Sequence, residues 1–223
     1  MLFRSVFAQA VDADESVRVA AAKALKSVAG AEDQQRLIDL LVAAQSDGEC
    51  VALREAIVAV AGSVEPAEQR AAVVLAAQAN ASGEARARLL AVLPGLGGAA
   101  ALDAVVADTK SADESVRAAA VRALSEWPTV DASPALLDVA NATEDLKLHV
   151  IAIRGYLRLA ASAPDNVAAY KAALDTARRP DEQKIALGGL ADVRTDASLA
   201  LVASFLDNEA LRSEAVSAAV AIA

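Results

Sequence analysis

The residues able to do chemistry are few. The chain holds one histidine, His149, one cysteine, Cys50, and one methionine, Met1. That inventory excludes a His-rich metal cluster, a Cys₄ or Cys₂His₂ zinc site, an internal disulfide and a CxxC redox couple. His149 has no second His, Cys or Ser-Asp pair to act with as a general base, so it reads as a structural imidazole. No base adjoins Cys50 closely, and it reads as a small turn or early-helix residue rather than a reactive thiol. The carboxylate pairs Asp14-Glu15 and Asp113-Glu114 recur in the same local sequence, which favours helix capping over acid/base work. The run Pro94-Gly95-Leu96-Gly97-Gly98 has no strand before it and no Lys-Ser/Thr after it, so it reads as an inter-helix turn and not a phosphate cradle. No catalytic residue, metal or cofactor is expected.

Composition bounds the elements that hold these residues. The 223 residues are 56% hydrophobic with a mean hydropathy of +0.36, too apolar for a disordered chain. Aromatic residues make up only 3%, so the core must be built from Ala, Leu, Val and Ile, which let helices approach closely. A net charge of −9 opposes contact with a phosphate backbone, and no nucleic-acid partner is expected. The longest uncharged stretch, Leu89 to Leu102, spans 14 residues and is broken by Pro and Gly, too short for a membrane span. The apolar stretch after Arg4 is likewise too short for a signal-peptide core.

Self-comparison reveals a repeat. Residues 13–25 and 112–124 are identical at 10 of 13 positions, at an offset of 99 residues, or three units of 33. Weaker copies of a polar turn, an apolar residue, Arg and an Ala/Leu-rich helix surround Arg54, Arg86, His149, Gln183 or Lys184, and Arg212. Seven units follow, approximately 1–30, 31–63, 64–95, 96–128, 129–162, 163–194 and 195–223. Each later unit carries a further helical pattern ahead of its turn: Glu32 to Ala44, Pro66 to Ala79, Ala99 to Asp108, Pro134 to Ala140, Asp165 to Ala177 and Ala197 to Phe205. Leu37, Leu40 and Leu41 show the spacing of a buried helix face, and no alternating strand pattern competes. Ser133-Pro134, Glu65-Pro66 and Arg179-Pro180-Asp181 supply helix-start punctuation. Such a helix hairpin cannot bury its apolar face alone and must stack on neighbours.

At Asp14-Glu15-Ser16-Val17-Arg18, Asp113-Glu114-Ser115-Val116-Arg117 and Asn208-Glu209-Ala210-Leu211-Arg212 the chain resembles the HEAT repeat family. The resemblance covers nearly the whole chain and implies an all-α fold, a right-handed α-solenoid of about seven HEAT-like helix hairpins forming a single array. It also implies a polar ladder, in which the turn Asp of one unit meets the Arg of a neighbour. Arg18, Arg54, Arg86, Arg117 and Arg212, with His149 in the equivalent place and Asp14 and Asp113 in the turns, are the candidates. Exchange of His149 for Arg is then expected to be neutral or stabilising. The segment from Arg178-Arg179-Pro180-Asp181 through Leu190-Ala191-Asp192-Val193 also resembles HEAT segments of large exported bacterial proteins, and that resemblance implies an exported or periplasmic parent protein.

The second helices of such arrays line a concave side. Residues five past the repeated position are Lys23, Ala59, Ala91, Arg122, Arg154, Gly188 and Ser217. With Arg88 and Arg158 nearby, Lys23, Arg122 and Arg154 form a candidate basic stripe for an acidic or C-terminal peptide; the alternative is a merely solvated face. HEAT-like deoxyhypusine hydroxylases need repeated His-Glu pairs that one His cannot supply. HEAT-like glycosylases need an aromatic-lined groove, whereas Trp127, Tyr156 and Tyr170 read as packing. The apolar Leu2, Phe3, Val6 and Phe7 and the uncapped Ala215–Ala223 suggest an excised domain or end-to-end self-association. The functional expectation is a non-catalytic protein-interaction scaffold or spacer. The alternative is a regulatory or substrate-positioning domain of a larger enzyme.

Overall fold

The computed structural model describes residues 2–223, with the side chains of residues 2–5 and 67 outside the description. Leu2 and Phe3 therefore lie outside the described side chains. The described chain is helical throughout and contains no strand. First and second helices alternate as α1 (Leu2–Gln9) with α2 (Glu15–Val28), α3 (Gln34–Ala43) with α4 (Asp47–Ala61), and α5 (Ala72–Ala79) with α6 (Gly83–Leu90). After the one-turn α7 (Leu93–Leu96), the alternation resumes with α8 (Ala99–Asp108) and α9 (Glu114–Ser125), then α10 (Ser133–Ala142) and α11 (Leu146–Ala160). It closes with α12 (Asn166–Thr176), α13 (Pro180–Ala191), α14 (Asp196–Ala203) and α15 (Arg212–Ile222). The contacts gather into two compact units, one ending at Ala123 and the other Leu124–Ala223.

Local sequence explains where the helices start. Asp14 Oδ1 accepts the Ser16 N–H at 2.7 Å, Asp145 Oδ1 accepts the Lys147 N–H at 2.7 Å, and Asp165 Oδ1 accepts the Ala168 N–H at 2.9 Å. Each satisfies an amide that the first helical turn leaves unpaired. Thr195 and Ser198 form a reciprocal capping box at α14. Two starts differ from the sequence expectation. The helix expected from Pro66 begins only at Ala72, because the chain first makes a 3₁₀ turn, Ala67–Gln69, with the Gln69 N–H bonded to the Pro66 carbonyl at 2.9 Å. Within Pro94–Gly98, residues 94–96 belong to α7, and only Gly97 (φ 70°) and Gly98 (φ 89°) make the turn, in a backbone region that favours glycine.

The core is aliphatic, as the composition requires. In α2 the buried residues are Arg18, Ala21, Ala22 and Leu25, and in α3 they are Gln34, Leu37, Ile38 and Leu41. Both sets follow the i, i+3, i+4, i+7 stripe of one helix face. Second helices pack directly on one another, α2 on α4 in the first unit, and α11 on α13 and α13 on α15 in the second. Trp127, Tyr156 and Tyr170 are buried packing residues.

Close approach is visible at two glycines of the second unit. A Cβ on Gly155 would lie 2.7 Å from the Ser125 Cα, and one on Gly189 would lie 2.4 Å from the Tyr170 ring. Gly188, one residue earlier and exposed, has nothing within 4 Å of that position. Gly155→Ala should therefore cost about 1–3 kcal/mol by overpacking, whereas Gly188→Ala should stabilise by about 0.5–1 kcal/mol. Urea unfolding midpoints of the two variants check both signs.

Candidate functional site

The repeated Arg faces a local problem. Where the chain leaves a first helix, carbonyls at the C-terminal end have no intrahelical donor, and the packed turn keeps water from some of them. Arg18 Nη1 donates to the Asp12 and Ala13 carbonyls, each at 2.9 Å. Arg86 Nη1 donates to the Gln78 carbonyl at 3.0 Å, Arg117 Nη1 to Ser111 at 2.7 Å, and Arg212 Nε to Leu206 at 2.9 Å. The repeated side chain thus reaches back over its own hairpin turn, and a guanidinium with five donors suits the task.

In Arg18 and Arg86 the rest of the guanidinium goes elsewhere than expected. Asp14 and Asp113 are not its partners. Each caps its own helix, and hydrogen bonds from the Ser16 and Ser115 side chains and nearby amides hold their carboxyls below the usual range. The acceptors are instead acids of the hairpin that follows, 31 residues on for Arg18 and 22 for Arg86. Arg18 Nε donates to Glu49 at 2.8 Å, with both side chains buried. Arg86 grips Asp108 in bidentate fashion at 2.8 and 2.9 Å, and Gln78 donates to the same carboxylate at 2.8 Å. Lys26–Glu55, Arg154–Glu182 and Lys184–Glu214 repeat the pattern at separations of 29, 28 and 30 residues. Glu49, Asp108 and Glu182 escaped the sequence search, although for Glu49 and Glu182 a base about one period earlier was the available signal.

Glu182 is the most enclosed of these acids. It is fully buried and receives Arg154 at 3.0 Å and Arg179 at 2.8 and 2.9 Å. The Arg179 hydrogen bond outweighs the opposing effect of burial, and Arg154 adds to it, so the carboxyl titrates below its ordinary range. At Glu49 burial pushes the carboxyl up, but the Gln45 N–H and Arg18 hold it below its usual value.

His149 occupies the ladder position by a different chemistry. It is fully buried; Nδ1 lies 2.8 Å from the Ala140 carbonyl, and Nε2 accepts the Arg178 backbone N–H at 3.3 Å. One ring nitrogen must donate and the other accept, which defines the neutral Nδ1–H tautomer. A guanidinium in this place would have no acceptor for the Arg178 N–H, which argues against the expectation that exchange for Arg is neutral or stabilising.

The bases of the candidate stripe are engaged differently from one another. Arg88 donates to the Val42 carbonyl at 2.8 Å and pairs with Glu84, and Arg158 donates to the Ser125 carbonyl at 2.9 Å and to that of Trp127. Both therefore cap preceding helices, and Arg154 belongs to the Glu182 cluster. Lys23 and Arg122 are exposed, as are Ala59, Gly188 and Ser217; Ala91 and Arg54 are half-buried. Burial raises the Cys50 thiol above its ordinary range. Among the described residues no group of three or more His, Cys, Asp or Glu is placed to hold a metal, and no helix is long and apolar enough to cross a membrane.

No family model and no curated protein sequence matches the chain. Among solved structures, one engineered protein is 18% identical with a TM-score of 0.48, covering 98% of this chain and 67% of its own. A second engineered protein is 17% identical with a TM-score of 0.40, covering 100% and 96%. The complex of CpcE and CpcF of phycocyanin lyase from Nostoc is 16% identical with a TM-score of 0.28, covering 97% and 92%. At these values the likenesses carry no argument about activity.

Two substitutions check the ladder. His149→Arg should destabilise by about 1–3 kcal/mol, because it strands a buried donor; a melting temperature at or above the parent's would refute the assignment. Glu182 has a folded pKa below its unfolded value, so its contribution is present at neutral pH and is lost as pH falls through the folded value. Glu182→Gln should cost about 1.5–3 kcal/mol at pH 7, and denaturant titrations should show that deficit shrinking as pH is lowered below the ordinary Glu range.

Proposed function

We propose that the chain is a HEAT-like, non-catalytic binding module whose second-helix faces receive a protein partner. One observation carries this reading. The polar groups that recur with the repeat are committed to the turns and to the ladder, while most positions five past them are exposed: Lys23, Ala59 and Arg122 in the first unit, Gly188 and Ser217 in the second. A face built this way offers backbone-close, evenly spaced contact surface and leaves the fold unperturbed when its side chains change. Repeat arrays commonly use that surface for recognition. Arg88, Arg154 and Arg158 hold the scaffold, and charge recognition is assigned to the exposed Lys23.

Site-specific photo-crosslinking tests the face. A benzophenone side chain at Ala59 or Ser217, on second helices, should capture a discrete partner from the native host, and one at Ala142 or Ala200, on first helices, should not. Capture from the first-helix positions alone would reverse the assignment. With the partner in hand, Lys23→Glu should weaken it at least tenfold and leave the melting temperature of the module unchanged.

A further inference from the structure

The two edges of a hairpin differ in what they touch. On α2 the edge that meets the next hairpin carries Arg18 and Lys26, which reach Glu49 and Glu55 of α4. Val58 of α4 lies on the same edge, where a Cβ on Gly95, just beyond α6, would come within 2.6 Å of its methyl group. Val58 stands four residues past the repeated position. It is half-buried, and its equivalents Ala22, Leu90, Val121, Ile153 and Leu187 are buried. On α15 the equivalent residue, Val216, is 47% exposed, and Val220, one turn on, is 73% exposed. Arg212, Val216 and Val220 thus present on α15 the edge that Arg18, Ala22 and Lys26 present on α2. A helix of the next hairpin covers that edge on α2 and on α13, namely α4 and α15, so the surface open on α15 is shaped for a helix hairpin of the same kind.

The matching edge is open on α2. Gly155, six residues past the repeated position in α11, packs so closely on Ser125 of α9 that a Cβ would lie 2.7 Å from the Ser125 Cα. Ser125 stands eight past the repeated position, the place that Val220 holds in α15. The other residues at the place of Gly155 include Val60, Val92, Ala123 and Ala218, all buried. Ala24, at that place in α2, is exposed, as is Ala20 one turn earlier. Charge matches as well. Asp12, Asp14 and Glu15 are exposed at the start of α2, and Arg212 is exposed at the start of α15. Stacked as α2 and α4 are, the two edges bring a base at the start of one helix to acids at the start of the other, as Arg18 meets Glu49. The valines supply apolar area, and the small Ala20 and Ala24 let the helices close on it.

We propose that α15 of one molecule stacks on α2 of a second copy, Val216 and Val220 against Ala20 and Ala24, with Arg212 at the acidic start of the second copy's α2. The contact joins unlike surfaces and is therefore head-to-tail. It does not depend on the partner face proposed above. Sedimentation of the full chain from micromolar to millimolar concentration should show reversible association. Val220→Lys should raise the concentration of half-association at least tenfold with the helical circular dichroism retained. In a Cys50→Ser background, oxidising a mixture of Val220→Cys and Ala24→Cys chains should give a disulfide-linked dimer, and either chain alone should stay unlinked; if Val220→Lys fails to fold, this pairing decides. A monomer at every concentration, including one that captures a different protein through Val216, association indifferent to Val220→Lys, or linkage within either Cys variant alone would overturn the proposal.

Discussion

Every hairpin has to end one helix and begin the next within a few residues while packed against a neighbour, and the carbonyls left at that corner are the constraint on which the structure depends. Water cannot serve those that the next hairpin covers. Arg18, Arg86, Arg117 and Arg212 meet the need by folding back over their own turns. Arg88 and Arg158 do the same for helices further back in the chain, which ties separate hairpins together through the same kind of bond. His149 shows that the requirement is for a donor at that corner rather than for charge, since a neutral imidazole fills the place and adds an acceptor.

The helical alternation was legible in the sequence because the 33-residue offset, the Asp caps and the apolar spacing all act locally. Ladder partners were harder to see, because their pairing is a property of stacking. The segments 13–25 and 112–124 are nearly the same in sequence, yet Arg18 is buried against Glu49 while Arg117 is half-buried on the Ser111 carbonyl. Arg88, Arg154 and Arg158 illustrate the opposite error. They have the composition of a binding stripe, but guanidiniums reach backbone carbonyls and a buried carboxylate that no one-dimensional pattern places beside them.

Small side chains connect the fold to its use. Gly155 admits the Ser125 backbone and Gly189 admits the Tyr170 ring, so neighbouring elements approach within a distance that a methyl group would prevent. Tight contact on the inner side allows the outer side to be varied freely, and Ala59, Gly188 and Ser217 stand where such variation costs the core nothing. An acidic chain with few aromatics can in this way be both well packed and adaptable on its surface.

The ladder also has a direction. In Arg18–Glu49, Lys26–Glu55, Arg86–Asp108, Arg154–Glu182 and Lys184–Glu214 the base always precedes the acid in the chain. A hairpin therefore carries two unlike edges, one suited to its predecessor and one to its successor. Genetic duplication of a hairpin in place preserves that matching and lengthens the protein without redesign.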